Sequence, residues 1–433
     1  MFMAYTVSKY TFFLDFHNKF FTFSSLTKAL LRIDKDTYDY LIISQNQHTD
    51  IIDSYLPKNV IRVLLDNRII CLNNDLEQSY CHSIIRSTRN ISTFQHITIA
   101  PTMDCCFSCY YCFEKNKSRT YISTEIIDGI VKYIISKNEL ERLHLTWFGG
   151  EPLMAIDRMV EFYKKLKLGF RGQYSSDIIT TGYHLNDCVI QKLKEIEVTE
   201  IQITLDGLPE RHNKIKHIKG CSDVFNQTIL NIDKLFVQYP EIRVCVRINL
   251  TKENAHEYST LYKFLHHRYS GNRISVSPGF VIDTGLLHKC ETFTHDECAE
   301  FSLSLWENEH IPTPWILINK KDTECAIRNI NSIAIDAEGY FYKCWEKISS
   351  PKHRFAKINQ NGEVKLTDIE VLNRALNDSD PLKDSGCSEC EYLPLCFGGC
   401  PMRRIEKSID NCTSYKNNLQ NWLIAYMQLK GII

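Results

Sequence analysis

The chain has 433 residues, of which 44% are hydrophobic, and a formal net charge of −1. This length allows two or three domains, and the balanced charge without a long basic run argues against a nucleic-acid or membrane-surface protein. The N-terminus lacks the pattern of a signal peptide, and no stretch approaches the ~18 apolar residues of a membrane span. We therefore expect a cytoplasmic protein.

Residues 1–74 predict a small winged-helix-like α+β domain. The alternation of YTFFLDF and FFTF predicts a hairpin, DKDTYDYLII a helix, and NVIRVLLDNRIICL a second helix that leads into a strand. This pattern is similar to the peptide-recognition element of enzymes that modify ribosomally made peptides, which implies binding of a leader peptide. A stabilising cap on the next domain is the alternative. The polar residues 75–93 are predicted to be a linker.

Residues 94–318 alternate between predicted strands and helices. Six successive pairs begin with the strands HITIAPT, LHLTWF, SDIITT, IQITLDG, VCVRINL and ISVSPGFV. Such a series implies a parallel sheet with right-handed crossovers, here a partial (β/α)6 TIM-like barrel of the α/β class. Ligands of such sheets lie at the carboxyl ends of the strands.

Three cysteines follow the first of these strands in the spacing C-x3-C-x2-C: Cys105, Cys109 and Cys112. Three thiolates on one loop can bind three irons of a [4Fe-4S] cluster and leave the fourth iron open to a small molecule. A buried thiol cluster and a partial zinc site are the alternatives. Eighteen cysteines in a chain without an export signal indicate metal ligands rather than disulfides.

Tyr111 stands directly before the last of these cysteines, and the loop resembles the signature of the radical S-adenosylmethionine (radical SAM) enzymes. The resemblance implies that the open iron binds the amino and carboxylate groups of S-adenosylmethionine. One electron from the cluster then splits the sulfonium into methionine and a 5'-deoxyadenosyl radical, which abstracts hydrogen from a carbon. An electron donor such as flavodoxin or ferredoxin is implied as a partner. The protein's part is to hold cofactor and substrate and to exclude water.

The second strand ends in Gly149, Gly150 and Glu151. Glycines let the backbone approach a neighbour closely, and in isolation this tripeptide is a common turn. By the resemblance it matches the GGEP motif, which holds the ammonium of the cofactor.

Four further residues at the ends of later strands are candidate cofactor contacts. By the resemblance, Thr181 replaces the Asn of an Asn-Gly pair that lies beside the ribose of the cofactor in the family. The sequence from Thr204 through Asp206 to the next glycine is similar to the family's S-x-D-G motif. Arg247 can pair with the cofactor carboxylate. For Thr204, Asp206 and Arg247 a structural turn or ion pair is the alternative, and no residue is identified as the catalytic base.

Residues 319–433 carry a second cysteine array that resembles the SPASM extension, which implies two auxiliary [4Fe-4S] clusters. By analogy, one cluster has four cysteine ligands and the other has three. The cluster with three ligands then either has an open iron or recruits Cys298 or Cys290. A zinc module is the alternative for the C-x2-C element. The four ligands are Cys387, Cys390, Cys396 and Cys412, and the three are Cys325, Cys344 and Cys400.

Taken together, the resemblance implies a maturase that cross-links a ribosomally made precursor peptide through a thioether, carbon–carbon or carbon–oxygen bond. The first alternative is an anaerobic sulfatase-maturating enzyme, which forms formylglycine. Those relatives have an Asp after the cysteine of the G-x4-C element, where this chain has Trp345. The alternative of another class is a noncatalytic iron-sulfur or zinc protein that binds peptides.

Overall fold

The computed structural model describes residues 4–52, 55–89, 91–112, 119–281, 291–316, 318, 325–407 and 412–433. The chain packs as two compact units. We call residues 91–294 and 326–377 the sheet unit, and residues 1–90, 295–325 and 378–433 the flanking unit. The predicted segments 94–318 and 319–433 are thus each divided between the units.

The N-terminal part of the flanking unit begins with two small sheets. One is an antiparallel sheet in the order β2-β3-β4, and the other has the order β5-β1-β6. His17 and Asn18 form the turn of the first hairpin with φ of 50° and 58°, the conformation that a tight hairpin turn requires. The elements are β1 (Ala4–Val7), β2 (Thr11–Phe16), β3 (Lys19–Ser24), β4 (Leu30–Ile33), α1 (Lys35–Gln47), β5 (Ile51–Ile52), α2 (Lys58–Asp66), β6 (Ile70–Cys71) and α3 (Asn74–Ser87).

The predicted linker of residues 75–93 differs from the structure, because most of it is the helix α3. Asn73 caps this helix by accepting hydrogen bonds from the backbone of Asp75 and Leu76. Cys81 and Ile85 are buried with residues of the C-terminal segment, including Phe397. Most residues of this helix are polar and only a narrow face is apolar, which is why the composition of the segment suggested a linker rather than a helix.

The sheet unit contains a ten-stranded sheet in the order β12-β11-β10-β9-β8-β7-β13-β14-β15-β16. Strands β7 to β12 are parallel to their neighbours and follow one another in sequence, as predicted for the partial barrel. Strand β13 adds in parallel to β7, and the last three strands are antiparallel. Their bounds are β7 (Phe94–Thr102), β8 (Arg142–Gly149), β9 (Gln173–Thr180), β10 (Val198–Leu205), β11 (Arg243–Leu250), β12 (Ile274–Phe280), β13 (Ser332–Ile335), β14 (Tyr340–Tyr342), β15 (Ala356–Ile358) and β16 (Val364–Leu366).

Helices connect the parallel strands, in agreement with the predicted alternation of strands and helices. Ser123 caps the first of these helices by accepting the Ile126 N–H. The connecting helices are α4 (Thr124–Ile135), α5 (Ile156–Gly169), α6 (Asp187–Glu195), α7 (Pro209–Ile215), α8 (Val224–Gln238) and α9 (Tyr258–Arg268). The later helices are α10 (His295–Glu309), α11 (Ile369–Asn373), α12 (Ser385–Ser388), α13 (Leu393–Cys396), α14 (Pro401–Ile405) and α15 (Leu419–Leu429).

The flanking unit joins distant parts of the sequence in one core. Leu14 and Phe21 of the first hairpin pack in a cluster with Trp306 of α10 and Trp422 of α15. The Trp306 indole also donates to the Gln428 side chain at 2.8 Å. The first hairpin therefore packs in a core shared with α10 and α15, while a separate cluster that includes Leu41 and Leu64 lies within the N-terminal segment itself. Among the described residues, no helix is long and apolar enough to cross a membrane.

Candidate functional site

The cysteine loop, residues 103–112, follows the carboxyl end of β7. Cys105, Cys109 and Cys112 are partly buried thiols that take part in no disulfide. The Cys112 N–H donates to the Cys109 carbonyl at 3.1 Å, and the Phe107 N–H approaches the Cys105 sulfur at 3.5 Å. The loop is thus folded back on itself with its three thiols at the edge of the sheet where the parallel strands end.

Gly149 and Gly150 lie directly against this loop. A Cβ atom on Gly150 would lie 2.3 Å from the Asp104 carbonyl oxygen and 2.4 Å from that of Met103. A Cβ on Gly149, whose φ is +118°, would lie 2.3 Å from the Thr102 carbonyl oxygen. The close approach that the glycines allow is therefore made to the backbone of the cysteine loop.

The Glu151 carboxylate is fully buried and accepts four hydrogen bonds from the chain. One oxygen accepts the Leu153 N–H at 3.1 Å and the Thr180 hydroxyl at 2.5 Å. The other accepts the N–H and the hydroxyl of Thr181, at 2.9 and 2.5 Å. Because both oxygens are occupied, this carboxylate joins the ends of β8 and β9 and orients Thr181.

The Glu151 N–H donates to the Asp104 carbonyl at 2.8 Å, so the same residue also fixes the cysteine loop. The Glu151 carboxylate therefore bonds to the protein on both of its oxygens, and binding of an ammonium group by the GGEP motif stays a prediction.

Asp206 is 1% exposed and lies at the centre of a second buried network. Its carboxylate is paired with the Lys216 ammonium and accepts the Tyr111 hydroxyl, and the Asn249 amide donates to it at 3.3 Å. Asn249 also donates to the Tyr111 hydroxyl at 3.1 Å. The network therefore ties the cysteine loop, through Tyr111, to the ends of β10 and β11.

Electrostatics in this network are set by burial and by the ion pair. Burial alone would raise the pKa of Asp206, but Lys216 and then His212 outweigh it, and the pKa is lowered. Burial, and then the Lys216 charge, lower the pKa of His212 to about 3. The His212 Nδ1 atom lies 3.3 Å from the Asp206 N–H, which it accepts as a neutral imidazole. Near neutral pH the network thus holds an anion, a cation and a neutral ring.

Arg247 lies on β11, and its guanidinium donates to the Asn249 side-chain oxygen at 3.3 Å. Burial lowers the pKa of this guanidinium. A Cβ on Gly279 of β12 would lie 2.2 Å from the Arg247 Nε atom, so the glycine makes room for the side chain. Thr204 has its carbonyl 3.3 Å from the Lys216 ammonium. The candidate residues of β10 and β11 therefore meet in one network.

The residues present fit an iron-sulfur cluster by their chemistry. Within the described residues, no group of three or more His, Cys, Asp or Glu side chains is arranged to hold a single metal ion. A cubane places a different iron at each thiolate, so its ligands need not converge on one point. Three thiols on one loop, next to two glycines and a buried cation, provide the donors that such a cluster takes.

The C-terminal cysteines Cys387, Cys390, Cys396 and Cys412 all belong to the flanking unit. The Cys387 sulfur accepts the Arg404 guanidinium at 2.9 Å, and the Cys396 sulfur accepts the Gly398 N–H at 3.3 Å. Two of the four sulfur atoms therefore accept hydrogen bonds from the protein. Binding of a cluster by these four residues stays a prediction.

The other predicted ligands are divided between the two units. Cys344 follows β14 in the sheet unit, whereas Cys325, Cys400 and Cys298 belong to the flanking unit. Cys290 and residues 319–324 lie outside the described residues. The ligand set of the first auxiliary cluster therefore stays a prediction.

Sequence reasoning missed the residues that support Asp206. His212 lies on the short helix α7, and Lys216 follows the end of this helix four residues later. Asn249 lies at the end of β11, and Asn254 lies in the turn after that strand. The signal was available, because a His and a Lys at helical spacing directly after an Asp-Gly turn face the same strand end. Asn254 donates to the Asp206 carbonyl at 2.8 Å and completes the network.

Comparison with known proteins agrees with this geometry. Residues 99–265 match the family model of the radical SAM superfamily. A cysteine-type anaerobic sulfatase-maturating enzyme of Clostridium novyi is similar at 23% identity over 340 residues, which cover 72% of this chain and 88% of that protein.

Two solved structures show the same fold. One is native anSMEcpe with bound AdoMet, with a TM-score of 0.59, 16% identity, and coverage of 78% of this chain and 98% of that one. The other is Streptococcus suis SuiB bound to the precursor peptide SuiA, with a TM-score of 0.52, 16% identity, and coverage of 95% and 98%. These findings set aside the noncatalytic alternative: residues 99–265 match a radical SAM domain, and the chain is an enzyme.

Proposed function

We propose that this enzyme is a maturase of a ribosomally made precursor peptide and installs a cross-link in it. One observation supports this most directly: the cysteine loop is held at the strand ends by two buried networks, centred on Glu151 and Asp206. In such a site the protein fixes the geometry before any ligand binds. A reactive cofactor has to be held in a fixed position relative to the substrate carbon, and a preorganised site meets this requirement.

Cys105, Cys109 and Cys112 would hold the [4Fe-4S] cluster in this proposal. When bound there, S-adenosylmethionine supplies the radical that abstracts hydrogen from the peptide. Thr181 is oriented by Glu151 toward a sugar hydroxyl, and Arg247 offers its guanidinium to a carboxylate. Tyr111 keeps the loop in register through its hydroxyl.

The C-terminal cysteines would hold two auxiliary [4Fe-4S] clusters, which accept the electron lost when a cross-link forms. The cysteines that the structure describes form no disulfides with one another, as iron ligation in a reducing compartment requires. A cytoplasmic location, with flavodoxin or ferredoxin as the electron donor, is part of the same proposal.

The N-terminal sheet is the proposed site for the leader of the peptide. In the described part of the chain, β4 pairs with β3 on one side and has no strand on the other. A leader added there as a strand would raise the effective concentration of the attached core peptide. Some relatives support a peptide substrate, since SuiB is described with a precursor peptide.

Because Leu14 and Phe21 belong to the shared core, deletion of residues 1–74 would disrupt the flanking unit and is not a clean test. Leader peptides methylated at alternate backbone nitrogens are a better probe, since they lose strand pairing without any change in the protein. We expect weaker binding and lower turnover for one of the two methylation registers. Equal binding of all methylated peptides would contradict strand addition.

Anaerobic sulfatase maturation is the second candidate, because the Clostridium novyi relative has that activity in its name. Trp345 follows Cys344 here, and its ring packs against Phe148 with centroids 5.0 Å apart. An aromatic side chain at this position cannot act as the base that a carboxylate would provide. Formation of formylglycine in a sulfatase-type peptide would favour this candidate over the cross-linking reaction.

The decisive experiment is anaerobic incubation of reconstituted enzyme with S-adenosylmethionine, dithionite and peptides encoded by short reading frames beside the gene. We expect 5'-deoxyadenosine together with a peptide lighter by two hydrogens. The Cys105→Ala/Cys109→Ala/Cys112→Ala variant should produce neither. If that variant still formed 5'-deoxyadenosine, the loop would not be the cluster site.

A further inference from the structure

A buried lysine is part of the network beside the cysteine loop. The Lys216 side chain is 3% exposed, and its ammonium contacts the Asp206 carboxylate and the Thr204 carbonyl. Transfer of an ammonium from water into a protein interior is costly unless the charge is well compensated. Because it is buried, the Lys216 ammonium cannot serve to keep the protein surface soluble, and its presence in the interior needs another explanation.

Lys216 reaches the cysteine loop through one intermediate residue. Asp206, which the Lys216 ammonium contacts, also accepts the Tyr111 hydroxyl, and Tyr111 directly precedes Cys112 in the loop. Lys216 therefore supplies the positive charge of a buried ion pair that contacts the cysteine loop.

We propose that Lys216 is a positioning residue that raises the reduction potential of the cluster bound by the cysteine loop, which rests on the function proposed above. Three thiolates give the site negative charge, and one-electron reduction adds another. A fixed positive charge in a low-dielectric surrounding stabilises the more negative, reduced state more than the oxidised state.

The network also explains why the charge stays in place. Asp206 is held by Tyr111, Asn249 and Lys216 together, and Asn254 holds its backbone carbonyl at 2.8 Å. Burial would lower the pKa of Lys216, but Asp206 outweighs it and the pKa is raised. The ammonium therefore stays charged across the working pH range, and its effect on the cluster is constant.

The test is a redox titration of the full-length, anaerobically reconstituted protein with dithionite, followed by electron paramagnetic resonance. The signal of interest is the one that disappears in Cys105→Ala/Cys109→Ala/Cys112→Ala, which separates it from the auxiliary clusters. We expect Lys216→Met to lower the midpoint potential of this signal. Lys216→Arg, which keeps the charge, should stay close to the wild type.

Two further variants make the result decisive. Lys216→Met/Asp206→Asn removes both charges of the pair and leaves no uncompensated buried charge, so its midpoint should fall less than that of the single variant. Lys192→Met removes a partly exposed lysine of the same unit, 2.5 Å from Asp157, and should leave the midpoint unchanged.

The inference and the proposed function fail in different ways. A wild-type protein without the loop signal would reject the proposed function. A wild-type signal with unchanged midpoints in both the single and the double variant would reject the role of Lys216 alone. Loss of iron without a shift in midpoint would mean that Lys216 is only structural, which would also overturn the inference.

Discussion

The cysteine loop after β7 is held by buried groups of the protein, whereas in the segment 387–412 two cysteines, Cys387 and Cys396, lie on helices of one turn and accept hydrogen bonds at sulfur. In the loop, Gly150 packs against the backbone, and Glu151 and Tyr111 fix it by hydrogen bonds. In the array, Arg404 donates to the Cys387 sulfur, and the Gly398 N–H donates to that of Cys396. From this comparison we expect the loop to be ordered without a metal and the array to gain order when a metal binds.

The largest expected effect separates the two regions by function and by stability. Alanine at Cys105, Cys109 and Cys112 should abolish cofactor cleavage and change the thermal midpoint little. Alanine at Cys387 and Cys390 should lower the thermal midpoint and stop peptide modification, while uncoupled cofactor cleavage continues. Scanning calorimetry and 5'-deoxyadenosine formation measure both quantities. Equal destabilisation by the two sets would break the comparison.

Glu151→Ala tests the preorganisation of the loop without touching a thiol. Four buried donors would lose their acceptor, and we expect a loss of about 3 kcal/mol in the free energy of unfolding. Glu151→Gln, which keeps the shape but not the charge, should lose about 1 kcal/mol. Urea unfolding measures both. An alanine variant as stable as the wild type would show that the buried carboxylate does not support the site.

Gly150→Ala tests the contact between the two loops. Its Cβ would lie 2.3 Å from the Asp104 carbonyl oxygen, so the backbone must shift, at a cost of about 2 kcal/mol. We expect reduced iron incorporation at the loop. Gly431→Ala is the control for backbone strain alone, since its φ is +65° but a Cβ there meets nothing within 4 Å, and its iron content should stay normal. Normal iron content in Gly150→Ala would contradict the described packing.

Near neutral pH the smallest effect is a pH dependence from His212, whose folded-state pKa is about 3 because of burial and Lys216. The unfolded chain protonates this ring near its ordinary pKa of about 6.5, so it binds more protons than the folded state between these values. Stability should therefore fall as the pH decreases from 6.5 toward 3. His212→Gln should flatten this dependence in thermal unfolding followed by circular dichroism. Parallel curves for both proteins would contradict it.

Much of the fold was predictable, because strands and helices of the barrel have strong periodicity and regular alternation. The strand ends and the three-cysteine loop followed from order along the chain. The roles of Glu151 and Asp206 did not, because hydrogen bonding to Thr181 or Tyr111 depends on how separate strand ends meet. Similarly, α3 has few apolar residues, and only packing against the C-terminal segment reveals it.

The core of the flanking unit has a consequence for synthesis. Leu14 and Phe21 are synthesised long before Trp422, with which they pack. Contacts this far apart in sequence slow folding, and the apolar face of the first hairpin stays uncovered until the later helices are made. The element proposed to receive the leader peptide would thus be completed only after the ten-stranded sheet has been translated.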